Sequence, residues 1–322
     1  MREININEIQ GFSIGNAQDE KGGTGCTAIL CPKGAAGGAD VRGGGPATRE
    51  TDLLSPVKSC EEVYGIMLSG GSAYGLDSAS GAMKYLEERN IGFDVGIGKV
   101  PIVSGACIFD LIAGDFKCRP DADMGYKACV NSERNQPEMG NYGAGTGATV
   151  GKFAGPERTM KGGLGFYAVE IGKLKIGAVA VVNCLGDVYD ADTGAQIAGM
   201  LSKDGRSLDN TRRVMWESIE RRRNVFTGNT TIGCIITNAK LDKNQCNKLA
   251  SMAHNGYAAA IKPVHTSADG DTVFYLAKGT VEVNHDALGD LGAYVMAKAI
   301  NSGVMNAESA YGFKSIKDIK GE

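Results

Sequence analysis

The sequence lacks several patterns that mark well-known classes of protein. Its histidines show no metal-ligand spacing, which argues against a metal site; there are three, His254, His265 and His285. None of the nine cysteines belongs to a CxxC pair, which favours reduced thiols in a cytoplasmic protein over a disulfide framework or a zinc site. No apolar run is as long as a signal peptide core or a membrane span. We therefore expect a soluble, cytoplasmic protein without a metal or other cofactor.

Neither sign of charge predominates in the sequence. It has 34 Lys and Arg against 37 Asp and Glu, a net charge of -3, so a polyanionic partner such as nucleic acid is not expected. No internal repeat, proline-rich linker or low-complexity tail divides the chain. The simplest interpretation is one domain that covers residues 1–322.

Glycine is in clear excess, with 47 residues gathered in clusters, and it allows tight turns and close backbone approaches. The cluster GAGTGA at residues 143–148 resembles a dinucleotide-binding loop, so a nucleotide-binding protein is one alternative. No parallel βαβ unit accompanies it, and Phe153 follows Lys152 where a Walker A loop has Ser or Thr. The segment at residues 70–74 fails the GxSxG pattern as well, because Tyr74 replaces the last glycine.

Apolar periodicity predicts an α+β protein with helices outside mainly antiparallel sheets. Two β-prone runs, GFYAVEIG and KIGAVAVVNC, predict a hairpin around Gly172, and TIGCIITNA from Thr231 predicts a further strand. Helical spacing predicts helices at 73–89, from about Asp242 with a capping box, and at 286–301 with Gly303 as a stop.

One short segment combines turn chemistry with a hydroxyl residue. Gly228 and Asn229 form a turn signal directly before Thr230, and an apolar strand follows. On its own this is ordinary turn chemistry.

Residues 228–233 and 235–239 resemble the processing site of the DmpA-type aminopeptidases and the related nylon-oligomer hydrolases. Six other segments resemble that family in the same order: VRGGGPATRETDLL (41–54), LSGGSAYGLDSA (68–79), VPIVSGACIFDL (100–111), GAGTGATVGK (143–152), KGGLG (161–165) and AVAVVNCLGDV (178–188). The resemblance covers nearly the whole chain.

The resemblance implies a four-layered αββα sandwich of DmpA type and a hydrolase with an N-terminal nucleophile. It implies cleavage between Asn229 and Thr230 into residues 1–229 and 230–322. A threonine hydroxyl needs a base in order to attack, and an α-amino group with a pKa of about 7.7–8.0 can supply it on the same residue. Implied substrates are short peptides, amino-acid amides or esters, and the implied assembly is a homo-oligomer of processed pairs. An acyltransferase on the same architecture is the second alternative.

Two aspartates, Asp269 and Asp271, precede the strand TVFYLA. From these residues alone, a loop with turn-capping carboxylates is as good an interpretation. The nylon-oligomer hydrolases have a pair of aspartates here, so the resemblance implies that both orient the Thr230 hydroxyl and ammonium. Two carboxylates this close should perturb each other's titration.

The remaining candidate site residues are an asparagine, two lysines and three tyrosines. Asn183 matches the family's asparagine at the end of a strand, where its amide could bind an oxyanion, although a strand cap is the routine interpretation. Lys152 is preferred as a cationic site residue and Lys161 stays an alternative. The family also uses a tyrosine, and the sequence does not choose among Tyr74, Tyr126 and Tyr142.

A charged stretch at residues 203–223 surrounds the only tryptophan, Trp216. It predicts a solvated helix with ion pairs. The alternative is that it forms an exposed linker before the processing site.

Overall fold

The computed structural model describes residues 1–220 and 228–321. Within these residues the strands, numbered in chain order, are β1 (Arg2–Ile4), β2 (Ser13–Asp19), β3 (Thr24–Val41), β4 (Thr48–Arg49), β5 (Glu62–Ser69), β6 (Phe93–Asp94), β7 (Lys99–Val100), β8 (Val103–Cys107), β9 (Thr149–Val150), β10 (Met160–Lys161), β11 (Gly163–Ile171), β12 (Leu174–Asn183), β13 (Asp187–Tyr189), β14 (Gln196–Ala198), β15 (Thr230–Ala239), β16 (Ile261–Lys262) and β17 (Thr272–Val281).

The α-helices of the same described residues are α1 (Ser78–Glu87), α2 (Ala122–Asn131), α3 (Thr211–Glu217), α4 (Lys243–Ala260), α5 (His285–Met305) and α6 (Ile316–Lys320). Short 3-10 helices lie between them, including Ser72–Asp77, Gly143–Gly145 and Lys152–Ala154. In the part of the chain that the structure describes, no helix is both long enough and apolar enough to cross a bilayer.

The long strand β3 joins two halves of one sheet. The strand order is β1-β11-β12-β15-β17-β3-β5-β8-β4, with β2 also paired to β3. The first part of β3 pairs with β2 and β5, and its last residues pair with β17. Apolar side chains from both halves form one cluster, with Leu68 from β5, Val181 from β12 and Ile232 from β15 among its members. The two halves therefore lie face to face.

Helices cover the outer face of each half. Helices α4 and α5 pack against β3, β11, β12 and β17, and α1 and α2 pack against β2, β3 and β5. Each space between helices and sheet has its own apolar cluster. The predicted four-layered αββα sandwich is therefore confirmed, and most strand pairs are antiparallel, as expected.

Strands β12 and β15 are buried on both faces, which explains their almost continuous apolar sequences. In β12, Ala180 and Val182 face the helices and Val181 faces the other half of the sheet. Side chains alternate along a strand, so Asn183 and Thr230, which are directly paired, belong to the face between the two halves. The ends of these strands therefore bring two of the predicted site residues together.

The predicted elements are confirmed in type, with different bounds. The hairpin of β11 and β12 turns at Gly172, and Asp242 and Gln245 form the capping box of α4. The first helix begins as the 3-10 segment Ser72–Asp77 before α1. Gly303 as a helix stop is wrong, because α5 continues to Met305. A Cβ on Gly303 would lie 2.9 Å from Val182 Cγ2, so this glycine allows the helix to approach the sheet closely.

Among the described residues of the charged stretch, 203–220, the α-helix is limited to α3. Arg213 forms ion pairs with Asp209 at 2.7 Å and with Glu217 at 2.8 Å, and Trp216 is 64% exposed. The solvated, ion-paired helix is thus confirmed over a shorter range, because residues 203–210 form a turn, a bend and an isolated bridge at Leu208. Residues 221–227, on which the linker alternative depends, lie outside the described residues.

Candidate active site

Thr230 opens β15 in a buried environment, and it is 4% exposed. The preceding Asn229 forms an isolated parallel bridge with Asp269. Gly228 has a φ of +53°, and a Cβ there would lie 2.2 Å from the Phe109 ring, so only glycine suits this turn. The bond between Asn229 and Thr230 therefore lies where a tight turn enters the centre of the sheet.

Two groups converge on the carbonyl oxygen of Asn229. The backbone N–H of Gly270 donates a hydrogen bond to it at 3.0 Å. The Thr230 hydroxyl donates a second hydrogen bond to the same oxygen. The hydroxyl thus lies against the carbonyl that precedes it, and that carbonyl has an N–H donor of the kind that stabilises an oxyanion.

Lys152 connects β12 with this turn. Its Nζ donates to Asn183 Oδ1 at 2.7 Å, to the Asn183 carbonyl at 3.0 Å and to the Gly228 carbonyl at 3.1 Å. The side chain is buried, and burial lowers the pKa of Lys152 to about 7. A cation that loses its proton near neutral pH therefore contacts the carbonyl of Gly228, two residues before Thr230.

Asn183 is held in one orientation by its neighbours. Besides Lys152, the backbone N–H of Thr149 donates to its Oδ1 at 3.0 Å, and its Nδ2 donates to the Phe109 carbonyl at 3.1 Å. Asn183 is fully buried and lies opposite Thr230 in the pairing of β12 with β15. Asn183 is therefore more than a strand cap, because its side-chain amide connects β12 with Phe109 and with the segment that contains Thr149 and Lys152.

Asp269 has one paired and one open carboxylate oxygen. Oδ2 accepts from the backbone N–H and the hydroxyl of Thr266, at 2.8 Å and 2.6 Å. Oδ1 is buried, with no hydrogen-bond partner among the described residues. Burial, and secondarily the charge of Asp271, raises the pKa of Asp269 to about 6. The expected effect of one carboxylate on the other is therefore present at Asp269.

Asp271 accepts hydrogen bonds from backbone N–H groups rather than from the Thr230 hydroxyl. Its Oδ1 accepts from the Thr231 N–H at 2.7 Å. Its Oδ2 accepts from the His265 N–H at 3.0 Å and is 2.9 Å from His265 Nδ1. In the described part of the uncleaved chain, neither aspartate hydrogen-bonds the Thr230 hydroxyl, so the orientation of that hydroxyl by both is not seen in this state.

The glycine segment at 41–47 covers the loop that carries the two aspartates. The N–H of Gly45 donates to the Asp269 carbonyl at 2.8 Å, and that of Arg42 to the Asp271 carbonyl at 2.9 Å. A Cβ on Gly43 would lie 2.3 Å from the Asp269 carbonyl oxygen. The first glycine-rich motif of the sequence therefore shapes this loop.

Lys161 occupies a different place from Lys152. Its Nζ donates to the carbonyls of Gly145, Ala148 and Gly162 at 2.8–3.0 Å, and burial lowers its pKa to about 7. None of these partners is a predicted site residue. Lys161 therefore satisfies the carbonyls of the glycine cluster, and Lys152 is the lysine that contacts Asn183.

The three candidate tyrosines contact other groups in the described residues. Tyr74 is 58% exposed and lies under the Arg119 guanidinium, 4.0 Å from its ring centre. The Tyr126 hydroxyl donates to Glu88 at 2.7 Å, and Tyr142 leads into the 3-10 helix Gly143–Gly145. Among the described residues, none of the three hydrogen-bonds Thr230, Asn183 or Lys152.

The glycine cluster at 143–148 uses its backbone donors within the fold. The N–H of Ala144 donates to the Thr27 hydroxyl at 3.1 Å, and those of Gly145 and Ala148 donate to nearby carbonyls. The cluster is buried. A phosphate-binding loop needs free N–H groups, so this geometry argues against the nucleotide-binding alternative.

His265, Thr266 and Gly270 surround the site and were missed by sequence reasoning. From the sequence, His265 is considered only as a possible metal ligand, although it opens the segment that carries both aspartates. Its backbone φ of +56° is rare for a residue other than glycine. The proximity of His265 to Asp271 in sequence was the only available signal.

Two solved structures that are similar to this chain are described as aminopeptidases. The L-aminopeptidase D-Ala-esterase/amidase from Ochrobactrum anthropi, described as a variant of the Ntn hydrolase fold, has a TM-score of 0.69 at 16% identity and covers 95% of this chain and 86% of that chain. A beta-aminopeptidase from Burkholderia sp. has a TM-score of 0.67 at 18% identity, over 98% and 92%. At these identities the likeness establishes the fold.

Sequence relatives establish the class and the family. An uncharacterized aminopeptidase of Mycobacterium tuberculosis is 37% identical over 98% of this chain and 97% of its own length. A 6-aminohexanoate-oligomer endohydrolase of Agromyces sp. is 29% identical over 93% and 85%. The protein is thus an amide-bond hydrolase. The model described as Peptidase family S58 matches residues 5–317, and the chain belongs to that family.

Proposed function

We propose that the chain cleaves itself between Asn229 and Thr230, and that Thr230 then hydrolyses amide bonds through an acyl-enzyme. One observation carries this proposal. The Thr230 hydroxyl contacts the Asn229 carbonyl oxygen, and the Gly270 N–H donates to the same oxygen. A nucleophile and an oxyanion donor therefore meet at one peptide bond, which is the arrangement that acyl transfer requires.

The cleavage begins when Thr230 Oγ1 attacks the Asn229 carbonyl carbon and loses its proton. The Gly270 N–H stabilises the oxyanion that forms on the carbonyl oxygen. The bond from that carbon to the Thr230 nitrogen then breaks, the nitrogen gains a proton, and an ester remains on Oγ1. Water hydrolyses the ester, which leaves a carboxylate on Asn229 and frees the Thr230 hydroxyl beside the amino group that the broken C–N bond exposed.

Turnover uses the new amino group as the base for its own hydroxyl. An α-amino group has a pKa of about 7.7–8.0, so a neutral fraction exists near pH 7. The open Oδ1 of Asp269 supports a role in accepting the ammonium form, because Asp269 bridges the residue next to Thr230. Lys152 and the Asn183 amide are the proposed stabilisers of the substrate oxyanion, since both adjoin the start of β15.

We infer the substrate class from the activities of the similar proteins. Aminopeptidases and a 6-aminohexanoate-oligomer endohydrolase share amide substrates built from amino acids. Short peptides, amino-acid amides and amino-acid esters are therefore the proposed substrates. Transfer to an added amine in place of water would identify the acyltransferase alternative.

The test compares variants of two neighbouring threonines. Thr230→Ala removes the proposed nucleophile, so we expect an intact chain in mass spectrometry and no measurable amide hydrolysis. Thr231→Val is the matched control, because the Thr231 hydroxyl is buried without a hydrogen-bond partner among the described residues, and its removal should leave cleavage within about threefold of wild type. Wild-type protein should separate, under denaturing conditions, into residues 1–229 and 230–322.

A Thr230→Ala protein that still hydrolyses amides would overturn the proposal. A wild-type chain that stays whole while active would contradict its maturation step.

Assembly and location belong to the same proposal. We propose a homo-oligomer of processed pairs in the cytoplasm. All nine cysteines are free thiols, and seven of them are buried, which agrees with a reducing compartment. Size-exclusion chromatography with light scattering would measure the assembly.

A further inference from the structure

The side chain of His265 contacts the oxygen of the Asp271 carboxylate that does not bind Thr231. Two N–H groups of His265, its backbone N–H and its ring Nδ1, approach one oxygen of Asp271 at 3.0 Å and 2.9 Å. The other oxygen of Asp271 accepts the Thr231 N–H at 2.7 Å. His265, Asp271 and Thr231 thus form one chain of hydrogen bonds that ends next to the proposed nucleophile.

The backbone of His265 is adapted to this double contact. Its φ of +56° lies in the left-handed region, which residues other than glycine seldom enter, although Asn, Asp and His do so more often than the rest. This conformation allows both the backbone and the ring of one residue to reach the same carboxylate oxygen. The left-handed conformation of His265 is therefore linked to its two contacts with Asp271.

The hydrogen bonds of the ring indicate that Nδ1 carries a proton. Asp271 Oδ2 is 2.9 Å from Nδ1, and a carboxylate oxygen can only accept. His265 Nε2 is buried and has no hydrogen-bond partner among the described residues. The ring lies 4.7 Å from the His254 ring and is stacked at 5.9 Å on Tyr257. A proton on Nε2 would be a buried, unpaired N–H, which costs more than a bare ring nitrogen does.

We propose that His265 is a positioning residue for the chemistry of Thr230: its Nδ1–H fixes Asp271, and Asp271 in turn fixes the Thr231 N–H at the start of β15. This inference rests on the proposed function. The Thr230 hydroxyl must lie within a fraction of an ångström of its target, and among the described residues Asp271 is the side chain that hydrogen-bonds the N–H of the peptide unit that follows it. A loose Asp271 would let the first residues of β15 shift.

Two substitutions separate the hydrogen bond from the backbone conformation. His265→Asn keeps a neutral N–H donor at about the distance of Nδ1 from the backbone, and Asn accepts the left-handed conformation. His265→Gly accepts that conformation more readily and has no side-chain donor. Both variants lack the ring and keep the backbone N–H that contacts Asp271. They therefore differ in whether the side chain can donate a hydrogen bond to Asp271.

We expect the Asn variant to keep kcat and the rate of self-cleavage within about threefold of wild type. The Gly variant should lose about tenfold or more in both rates with KM within about threefold, as is common when a group that orients another is removed. The thermal midpoint of each variant shows that it is folded. His265→Ala is a second variant without a donor, to be used if the Gly variant does not fold.

Equal rates for the Asn variant and the donor-free variants would overturn the role of His265. A loss in the Asn variant as large as that in the Gly variant would also overturn it, because a neutral donor would then not suffice. Thr230→Ala, assayed in parallel, separates this failure from that of the proposed function. An inactive Thr230→Ala protein together with equal His265 variants would remove only the positioning role.

Discussion

Thr230 and Thr231 have the same side chain, but their hydroxyls differ in whether they have a hydrogen-bond partner. The Thr230 hydroxyl bonds the carbonyl before it, whereas the Thr231 hydroxyl is buried and unpaired in the described structure. Strand alternation causes the difference, because successive side chains point to opposite faces. The sequence places two hydroxyls at the same junction, and the pleat of β15 decides which of them meets a carbonyl.

Buried ionisable groups concentrate around this junction. Burial lowers the pKa of Lys152 to about 7 and raises that of Asp269 to about 6. Both groups therefore change charge close to neutral pH, as groups in active sites commonly do. Lys161, with a similar pKa, lies under the glycine cluster, so a perturbed pKa by itself does not separate a site lysine from a structural one.

The pKa of Asp269 predicts a stability difference that depends on pH. The folded chain keeps this proton up to about pH 6, whereas the unfolded chain releases it near the usual pKa of 3.8. The folded state binds more protons in this window, so the residue's contribution to stability falls as pH rises from 4 to 6. In the uncleaved Thr230→Ala background, Asp269→Asn should gain about 2 kcal/mol relative to its parent over that range.

Urea unfolding at pH 4, 5 and 6 measures this difference. Asp110 and Asp187 also have pKa values raised to about 6 by burial, but they are present in both proteins and cancel in the comparison. A difference that stays constant, or that decreases with pH, would contradict the raised pKa.

At the scale of elements, the loop between β16 and β17 carries three groups of the site. It supplies Asp269 and Asp271 by their side chains and Gly270 by its N–H. The parallel pairing of β15 with β17 sets this loop beside the start of β15. The glycine segment that follows β3 covers it from the other side.

Gly270 offers a test of this arrangement. A Cβ at Gly270 would lie 2.7 Å from Thr230 Oγ1, which is closer than a carbon can approach without moving the hydroxyl. We expect Gly270→Ala to slow self-cleavage by about tenfold to 100-fold, since small misplacements of a reacting group are costly. Intact mass spectrometry over time after synthesis measures the rate.

Gly45→Ala is the control for this variant. Gly45 crosses the same loop, but a Cβ there would meet only the Asp269 carbonyl oxygen at 3.9 Å, an ordinary contact. Its cleavage rate should match that of wild type. Equal rates for the two variants would show that space at the hydroxyl is not what Gly270 provides.

At the scale of the whole molecule, the proposed cleavage would divide the sandwich through its middle. Strand β15 lies between β12, which precedes the cut, and β17, which follows it, while β17 pairs in turn with β3. Helix α5 packs on β11 and β12 across the same division. Two apolar clusters, one between the halves of the sheet and one beneath α4 and α5, each contain residues from both sides of the proposed cut. Neither part retains its core without the other.

The two fragments should therefore stay together after cleavage. We expect native mass spectrometry to find both fragments in one species, with the mass of the full chain plus one water for each processed pair, and denaturing conditions to give two species. Burial of apolar surface between the parts supplies the binding energy. Separation of the fragments in native buffer would contradict this prediction, whatever the activity of the mixture. The division into two chains stays a prediction until then.

The sequence by itself determined the elements and the family. Apolar periods specify strands and helices locally, and they gave the right type for the hairpin, for β15 and for α4. Gly303 failed as a helix stop because its role is a close contact with β12, which no local pattern reveals. The resemblance supplied the four layers and the candidate residues, including Asn183, Lys152 and the two aspartates.

Only the tertiary structure decided which groups meet and what each one holds. Lys152 and Lys161 both end or open a glycine motif, and their partners separate them: Asn183 and Gly228 for one, loop carbonyls for the other. Asp271 hydrogen-bonds both the Thr231 N–H and His265. These contacts depend on the register of β15 with β17 and on the left-handed backbone conformation of His265. Burial sets the pKa values at the site, and burial belongs to the packed layers rather than to any segment of the sequence.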